Sequence, residues 1–190
     1  MNYGRTDHSK NVHAARSDPN ETFVVGDRVV FPAHRVERVE KVAKEEIAGH
    51  SIEIIQISFD DSSMTVRVPV AKIGSTGLRR VASPAVAADA LTVLEGKPRT
   101  SKMMWARRAQ DYDQRINSGD PMLLAEVVRD LRRNANLATE GSFSERQLFE
   151  RAIDRLAAEV AAVEGIEKEQ ALGRMNARLR ALDTEASTSS

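Results

Sequence analysis

The hydrophobic pattern changes its period close to Ala82, and this change limits the fold more than any other feature of the sequence. Upstream, Val and Ile alternate with polar residues between short turn sequences, which is typical of β-strands. Downstream, Ala, Leu, Arg and Glu recur at helical spacing. The change predicts an α+β protein of two domains, with a small β-barrel at residues 23–82 and an all-α domain of about five helices at residues 83–182.

The first domain is expected to form four or five short strands, enough for a partly closed barrel of the SH3 or Tudor kind. A turn at Gly26-Asp27 leads into a strand at Arg28–Phe31, and Arg35–Lys44 forms a second extended stretch. The third strand, Ser51–Phe59, has apolar positions that change face once. A β-bulge in this strand would explain the change and would help the sheet to curl.

The fourth strand follows an expected hairpin turn at Asp60–Ser63 and alternates strictly. Its apolar residues are expected to face the core, whereas Arg67 points to the outer face. Proline lacks the N–H group that a strand donates to its neighbour, so Pro69 predicts that this strand lies at a sheet edge. The residues expected to face the core are Met64, Val66, Val68 and Val70.

Capping signals divide the rest of the chain into helices. Ser83 precedes Pro84, which is an N-cap followed by proline at the first helical position, and Asp120-Pro121 repeats this arrangement. Ser144–Gln147 has the spacing of a capping box. Helices are expected at Ser83–Leu94, Ser101–Asn117, Asp120–Leu137 and Ile166–Leu182. A further long helix is expected to open at Ser144, with a buried face of Leu148, Ala152, Leu156 and Val160.

Two terminal segments, residues 1–22 and 183–190, are polar and lack periodicity, so we expect a disordered extension and a frayed tail. The chain contains no cysteine, which excludes a disulfide framework and a Cys-ligated zinc site. Neither a secretory apolar segment nor an apolar run of about 18 residues occurs, so we expect a cytoplasmic protein that does not enter a membrane. The formal net charge of zero argues against a bulk polyanion binder.

The motifs of common enzyme classes are missing from the sequence. The chain has no glycine-rich phosphate loop and no helix with the paired histidines of a zinc protease. Acidic pairs such as Asp60-Asp61 lie in turns, without the apolar surroundings that would adapt them for proton transfer. The four histidines are scattered, at His8, His13, His34 and His50. We therefore expect a protein without catalytic activity, cofactor or metal ion.

A cluster of cations surrounds the only tryptophan of the chain. Arg107 and Arg108 closely follow Trp105, and Lys102 precedes it by nearly one helical turn. Basic residues beside an exposed aromatic ring suit a nucleic-acid backbone together with a stacked base.

The same tryptophan could also belong to the core. Trp105, Ala109, Tyr112 and Ile116 recur at the spacing of the buried face of a helix. On periodicity alone, the core interpretation is favoured. The basic residues of the next helix are interpreted as a solvated face rather than a DNA-reading surface. These residues are Arg129, Arg132 and Arg133.

Several motifs, in order and spacing, resemble the CarD/CdnL family of bacterial transcription regulators over roughly Phe23 to Val163. Any one of them would be a weak signal, and their common order makes the resemblance specific. The motifs are Phe23–His34 (FVVGDRVVFPAH), Met64–Val70 (MTVRVPV), Gly77–Arg79 (GLR), Trp105–Arg108 (WARR), Ser118–Asp120 (SGD) and Ala125–Leu131 (AEVVRDL).

This resemblance implies that the N-terminal domain is Tudor-like, as in transcription-repair coupling factors, and binds the β subunit of RNA polymerase. Arg67 matches a family position at the polymerase contact. Its neighbours Val66, Val68 and Pro69 would belong to the same contact. Backbone pairing along this edge is one mode of docking.

The resemblance further implies that the helical domain contacts promoter DNA. In such proteins a tryptophan matching Trp105 is exposed and enters the minor groove at the upstream edge of the transcription bubble, which stabilises the open promoter complex. The resemblance alone reverses the core interpretation, with Lys102, Arg107 and Arg108 as phosphate-binding cations. Recognition would be largely independent of sequence. We expect a monomer on polymerase, located at the nucleoid through it, whose balanced charge gives weak affinity for free DNA.

Two positions depart from the family pattern. Many members have His-Gly-x-Gly after the proline, whereas this chain has His34-Arg35-Val36-Glu37, so the turn there lacks those glycines. The family often has a basic residue where this chain has Gln110, which removes one phosphate contact. An alternative from another class is a protein–protein adaptor with a Tudor-like barrel and a buried tryptophan, without action on promoter DNA.

Overall fold

A five-stranded antiparallel sheet forms the first domain. The computed structural model describes residues 22–31, 36–59, 62–99, 102–135 and 142–188. The strands are β1 (Arg28–Val30), β2 (Val36–Ile47), β3 (His50–Phe59), β4 (Ser62–Pro69) and β5 (Arg79–Arg80). Their order is β4-β3-β2-β1-β5, so within the described residues the sheet is open and β4 and β5 are its edges. The edge position predicted from Pro69 is confirmed.

The sheet is irregular in β2 and in β4, not in β3 as the apolar pattern predicts. In β2, Val39 pairs with Ile57 and Lys41 pairs with Gln56, so Glu40 is the inserted residue. In β4, Thr65 pairs with Ser58 and Ser62 pairs with Phe59, so two extra residues lie between them. Ile54 and Ile55 are both buried. Because neighbouring residues of a strand point to opposite faces, two buried neighbours explain the phase change without a bulge in β3.

The sheet has its own apolar core. Val68 belongs to it, and Val66 and Val70 pack against it. Met64 is 44% exposed, contrary to the expectation that it faces the core. Met64 lies in the irregular part of β4, between the paired residues Ser62 and Thr65, so the alternation of the strand does not decide which face it takes. The buried members of this core are Phe23, Val29, Val39, Ile55, Ile57, Phe59, Val68, Ile73 and Leu78.

A short helix, α1 (Ile73–Thr76), follows β4, and five helices after β5 form the second domain. This arrangement confirms the predicted α+β class. No helix in the described part of the chain is long and apolar enough to cross a membrane. The five helices are α2 (Pro84–Glu95), α3 (Trp105–Ser118), α4 (Pro121–Ala135), α5 (Phe143–Glu164) and α6 (Lys168–Thr188).

Two of the predicted helix starts are confirmed, and that of α5 is wrong. The Ser83 hydroxyl accepts a hydrogen bond from the Val86 N–H at 3.3 Å, and the Asp120 carboxylate accepts one from the Met122 N–H at 2.8 Å. Helix α5 begins with a capping box at Ser142 and Glu145 instead of at Ser144. Both serines have an acidic or amide residue at the required spacing, and the helix forms from the earlier one.

Helices α3 and α6 also differ from their predicted bounds. Helix α3 begins at Trp105, because the backbone of Met104 is still extended, with ψ at 144°. The predicted cap Ser101 and the N-terminal extension before residue 22 lie outside the described residues, as does Leu137. Helix α6 continues to Thr188, so the tail predicted from residue 183 is helical as far as that residue, where helical hydrogen bonding simply propagates.

A buried ion pair joins the two domains. Arg79 of β5 donates hydrogen bonds from Nη1 and Nη2 to the two carboxylate oxygens of Glu159 in α5, at 2.6 and 2.9 Å. Arg79 also donates to the carbonyl oxygen of Gly119, directly after α3, and Glu159 accepts the Ala82 N–H at 2.8 Å. The two side chains are only 6% and 3% exposed. This joint therefore connects the sheet to α3 and α5 through charge-assisted hydrogen bonds.

Candidate nucleic-acid interface

Trp105 is half-buried at the first position of α3. Its ring packs against the core of the helical domain beside Ala109, and Tyr112 and Ile116 on the same face are buried in that core. The predicted stripe therefore does face inward. Because Trp105 stands at the end of the helix, the core covers only part of its ring.

Arg108 lies over the ring of Trp105. Its Cζ atom is 5.3 Å from the ring centroid, within the range of a cation–π interaction. Arg108 is half-buried, and its Nε has no hydrogen-bond partner within the described residues. Arg108 is thus placed to hold the indole in one orientation, which differs from the exposed phosphate contact expected from the sequence.

Lys102 and Arg107 are the exposed cations beside Trp105. Two carboxylates farther along the chain, Asp111 and Glu126, are paired with Arg115. The first turn of α3 contains no acidic residue. The partial positive charge at the start of a helix adds to these two side chains. This end of α3 therefore attracts anions.

Two methionines just before Trp105 are exposed, and neither is among the site residues predicted from the sequence. Met103 is 46% exposed and Met104 is 83% exposed. A helix beginning at Ser101 would have made both of them ordinary helical residues. The available signal was the run Met103-Met104-Trp105 between basic residues, since three large apolar residues are unusual at a solvated helix start.

The basic residues of α4 are buried, which contradicts their interpretation as a solvated face. Arg129 is 5% exposed and Arg132 is 8% exposed. Arg129 donates from Nε to Asp130 Oδ1 at 2.8 Å, and Arg132 donates to the Leu94 carbonyl oxygen at 3.5 Å. Arg132 thus connects α4 to α2, and Arg129 is paired within α4, so neither offers its charge to DNA. The side chain of Arg133 lies outside the described residues.

Tyr112 lies in the core about two helical turns after Trp105, on the same face of α3. Burial raises the pKa of its hydroxyl above the ordinary value of 10.0, and the nearby carboxylate of Asp130 adds to the rise. Arg108 and Arg115 act in the opposite direction. The phenol is therefore neutral at physiological pH, and it supports the tryptophan by packing rather than by charge.

The second predicted site lies on β4, in the other domain. Arg67 is exposed on the outer face as predicted, and it forms an ion pair with Glu45 of β2, with side chains 49% and 38% exposed. Val68 is buried in the sheet core, whereas Val66 and Pro69 are half-buried. Of these four residues, Arg67 offers an exposed side chain, and the others contribute mainly the backbone of an edge strand.

The described residues contain no group of His, Cys, Asp or Glu that could hold a metal ion. His50 is exposed at the start of β3. The remaining histidines, His8, His13 and His34, lie outside the described residues. The site residues predicted from the sequence thus form two separate groups, one on β4 and one at the start of α3.

Known protein families match both domains. A model described as the CarD-like/TRCF RID domain matches residues 23–82, and the model of the CarD C-terminal domain matches residues 89–176. Similar in sequence is YdeB of Bacillus subtilis (strain 168), which is named as a proposed transcription factor. It is 26% identical over 148 residues, which cover 78% of this chain and 96% of YdeB. The gap between the two matched regions falls where the sheet ends and the helices begin.

Proposed function

Because the chain belongs to the CarD family of transcription factors, we propose that it docks on RNA polymerase through β4 and stabilises the open promoter complex with Trp105. The partner of the sheet would be the polymerase β subunit. The partner of α3 would be the minor groove at the upstream edge of the bubble. A single chain carries both surfaces, so a monomer is sufficient.

The observation that carries the proposal is the ring of Trp105 between exposed cations. Arg108 holds the ring at 5.3 Å, while Lys102 and Arg107 remain exposed on either side in sequence. Lysine and arginine near a duplex neutralise phosphates, whatever the base sequence. An aromatic or apolar side chain can then occupy a base step that has been partly unstacked.

This arrangement acts on an equilibrium and catalyses no reaction. Steps rich in A and T at an upstream promoter edge unstack easily. A base stacked on an aromatic ring contributes about 1 to 3 kcal/mol. Binding that occurs only in the open complex shifts the equilibrium between closed and open states by the same free energy. The expected shift is on the order of tenfold or more.

The edge position of β4 supports docking on a protein. An unpaired strand edge offers N–H and C=O groups to a partner strand, and Pro69 removes one donor from that row. Arg67 on the outer face adds a charge next to the edge. Polymerase docking would bring α3 to DNA at high effective concentration, which is consistent with a net charge of zero.

The lifetime of open promoter complexes with the Trp105→Ala variant tests the proposal. We expect this variant to shorten the lifetime by about tenfold relative to the parent protein, with unchanged affinity for polymerase. Phe149→Ala is the matched control, because Phe149 is also a partly buried aromatic residue packed against the helical core. If Trp105→Ala lengthens open-complex lifetime as well as the parent does, the DNA role of Trp105 is wrong.

A second candidate function is a protein adaptor in which Trp105 serves only the core. The packing of its ring against the helical domain favours this candidate. Tryptophan fluorescence distinguishes the two, since the chain contains one tryptophan. The adaptor predicts an emission that does not change when promoter DNA and polymerase are added, whereas insertion between bases predicts strong quenching.

A further inference from the structure

Met104 is the most exposed of the large apolar side chains in the described part of the chain, at 83%. Trp105, its neighbour, is half-buried and packs on the helical core. The most exposed apolar side chain at this end of α3 is therefore a methionine. The next residue, Trp105, has the guanidinium of Arg108 over its ring.

The backbone of Met104 is fixed although its side chain is exposed. The Met104 carbonyl oxygen accepts hydrogen bonds from the N–H groups of Arg107 and Arg108, at 3.1 and 3.2 Å. Met104 occupies the N-cap position and gives no side-chain hydrogen bond to the helix. Serine, threonine, aspartate and asparagine stabilise a helix at this position, and apolar residues do not. Stability of the helix therefore does not explain a methionine here.

The surroundings of Met104 favour an anionic partner. Lys102 and Arg107 are exposed on either side of it along the chain, and the first turn of α3 has no acidic residue. An apolar protein partner would gain nothing from these cations. A duplex offers phosphates to the cations and an apolar interior between its base pairs, and methionine is among the side chains that enter unstacked steps.

We propose that Met104 is the leading side chain of the DNA contact and enters the distorted base step ahead of Trp105. The inference rests on the proposed function, because it assigns a role within the same contact. The thioether side chain is unbranched and adapts its shape to an irregular gap. Trp105 then stacks on the base exposed behind it. Two adjacent side chains thus enter the DNA, the flexible Met104 first and the more rigid Trp105 behind it.

Met104→Ser tests this inference in the full-length protein. Serine restores a favoured N-cap, so the variant should unfold at the same temperature as the parent or higher. We expect it nevertheless to shorten open-complex lifetime by about fivefold and to reduce the fluorescence change of 2-aminopurine placed at the upstream bubble edge. Val25→Ser is the matched control, because Val25 is 63% exposed in the turn before β1, far along the sheet from β4.

The results separate this inference from the proposed function. If Met104→Ser keeps the parental lifetime while Trp105→Ala shortens it, the role of Met104 is overturned and the proposed function stands. If neither variant changes the lifetime, both are overturned. A loss of polymerase affinity in Met104→Ser, measured without DNA, would show that Met104 contacts protein and would also overturn the inference. A shortened lifetime with full polymerase affinity supports it.

Discussion

An arginine paired with a glutamate occurs both at the joint between the domains and on the outer face of the sheet, and the two pairs differ in burial. Arg79 and Glu159 are 6% and 3% exposed. Arg67 and Glu45 are 49% and 38% exposed. The first pair has further hydrogen bonds to Gly119 and Ala82. The second is partly exposed to solvent.

Burial decides what each pair can do. Removing one member of a buried pair leaves an uncompensated charge in a poorly solvated place, which is strongly destabilising. An exposed pair contributes little to stability, because water screens both charges. An exposed pair can also be separated at low cost when a partner protein arrives. The joint is therefore structural, whereas Arg67 can change partner.

The largest effect is expected for Glu159→Ala. This change leaves the buried guanidinium of Arg79 without its carboxylate partner and should lower the free energy of unfolding by about 3 to 5 kcal/mol. Urea denaturation of the full chain measures it. Glu164→Ala, in the same helix, removes a carboxylate paired with the exposed Arg174 and should cost under about 1 kcal/mol. Equal losses in the two variants would remove the distinction between the pairs.

A smaller effect is expected for Arg67→Ala, and on binding rather than on folding. We expect affinity for RNA polymerase to fall by roughly tenfold, since an arginine at a protein contact commonly contributes more than about 1 kcal/mol. The free energy of unfolding should change by less than about 1 kcal/mol. Arg174→Ala removes an arginine of another exposed pair and should leave polymerase affinity unchanged. Unchanged affinity in Arg67→Ala would argue against docking through β4.

Glu45→Gln should produce a still smaller change, of opposite sign. It releases Arg67 from its intramolecular partner, so polymerase affinity should rise by a few-fold, on the order of 0.5 kcal/mol. Titration at two salt concentrations measures this effect, which should weaken as salt screens the charge. A decrease in affinity would mean that Glu45 itself contacts polymerase.

The smallest effect concerns Tyr112, a buried group that has carboxylate and arginine neighbours and whose hydroxyl is neutral at physiological pH. Its pKa in the folded protein is above 10.0, so unfolded chains lose this proton first as the pH rises. The contribution to stability is complete below pH 10 and is lost as the pH rises from 10.0 through the folded pKa. Tyr112→Phe should flatten this alkaline loss in thermal unfolding. An identical pH profile in both proteins would contradict this explanation.

Local signals in the sequence predicted most of the architecture. The period of the hydrophobic pattern and the turn residues predicted the two-domain α+β arrangement. Ser83 and Asp120 cap helices where expected. A cap needs only neighbouring residues, so the sequence contains it completely. The start of α3 was placed too early, because a serine in a suitable position does not require that the next residues are helical. Exposure of Met104 followed from that later start.

Contacts between distant residues could not be predicted in this way. Arg79 and Glu159 are 80 positions apart, and neither has a local pattern that identifies the other. Charge on α4 suggested a solvated face, yet Arg129 and Arg132 are buried against other elements. The spacing from Trp105 to Ile116 correctly showed which side of α3 faces the core. It could not show how far the core extends toward the end of the helix.

The hydrogen bond from Arg79 to Gly119 sets how far Trp105 lies from the joint between the domains. Gly119 directly follows α3 and Trp105 begins it, so the 14 residues of the helix separate the joint from the tryptophan. At 1.5 Å per residue this length is about 21 Å, comparable with about six base pairs of duplex at 3.4 Å each. Helix α3 is therefore a spacer of fixed length between the sheet, which holds its C-terminal end, and the tryptophan at its N-terminal end. Inserting one residue into it would turn the tryptophan by about 100° and advance it by about 1.5 Å.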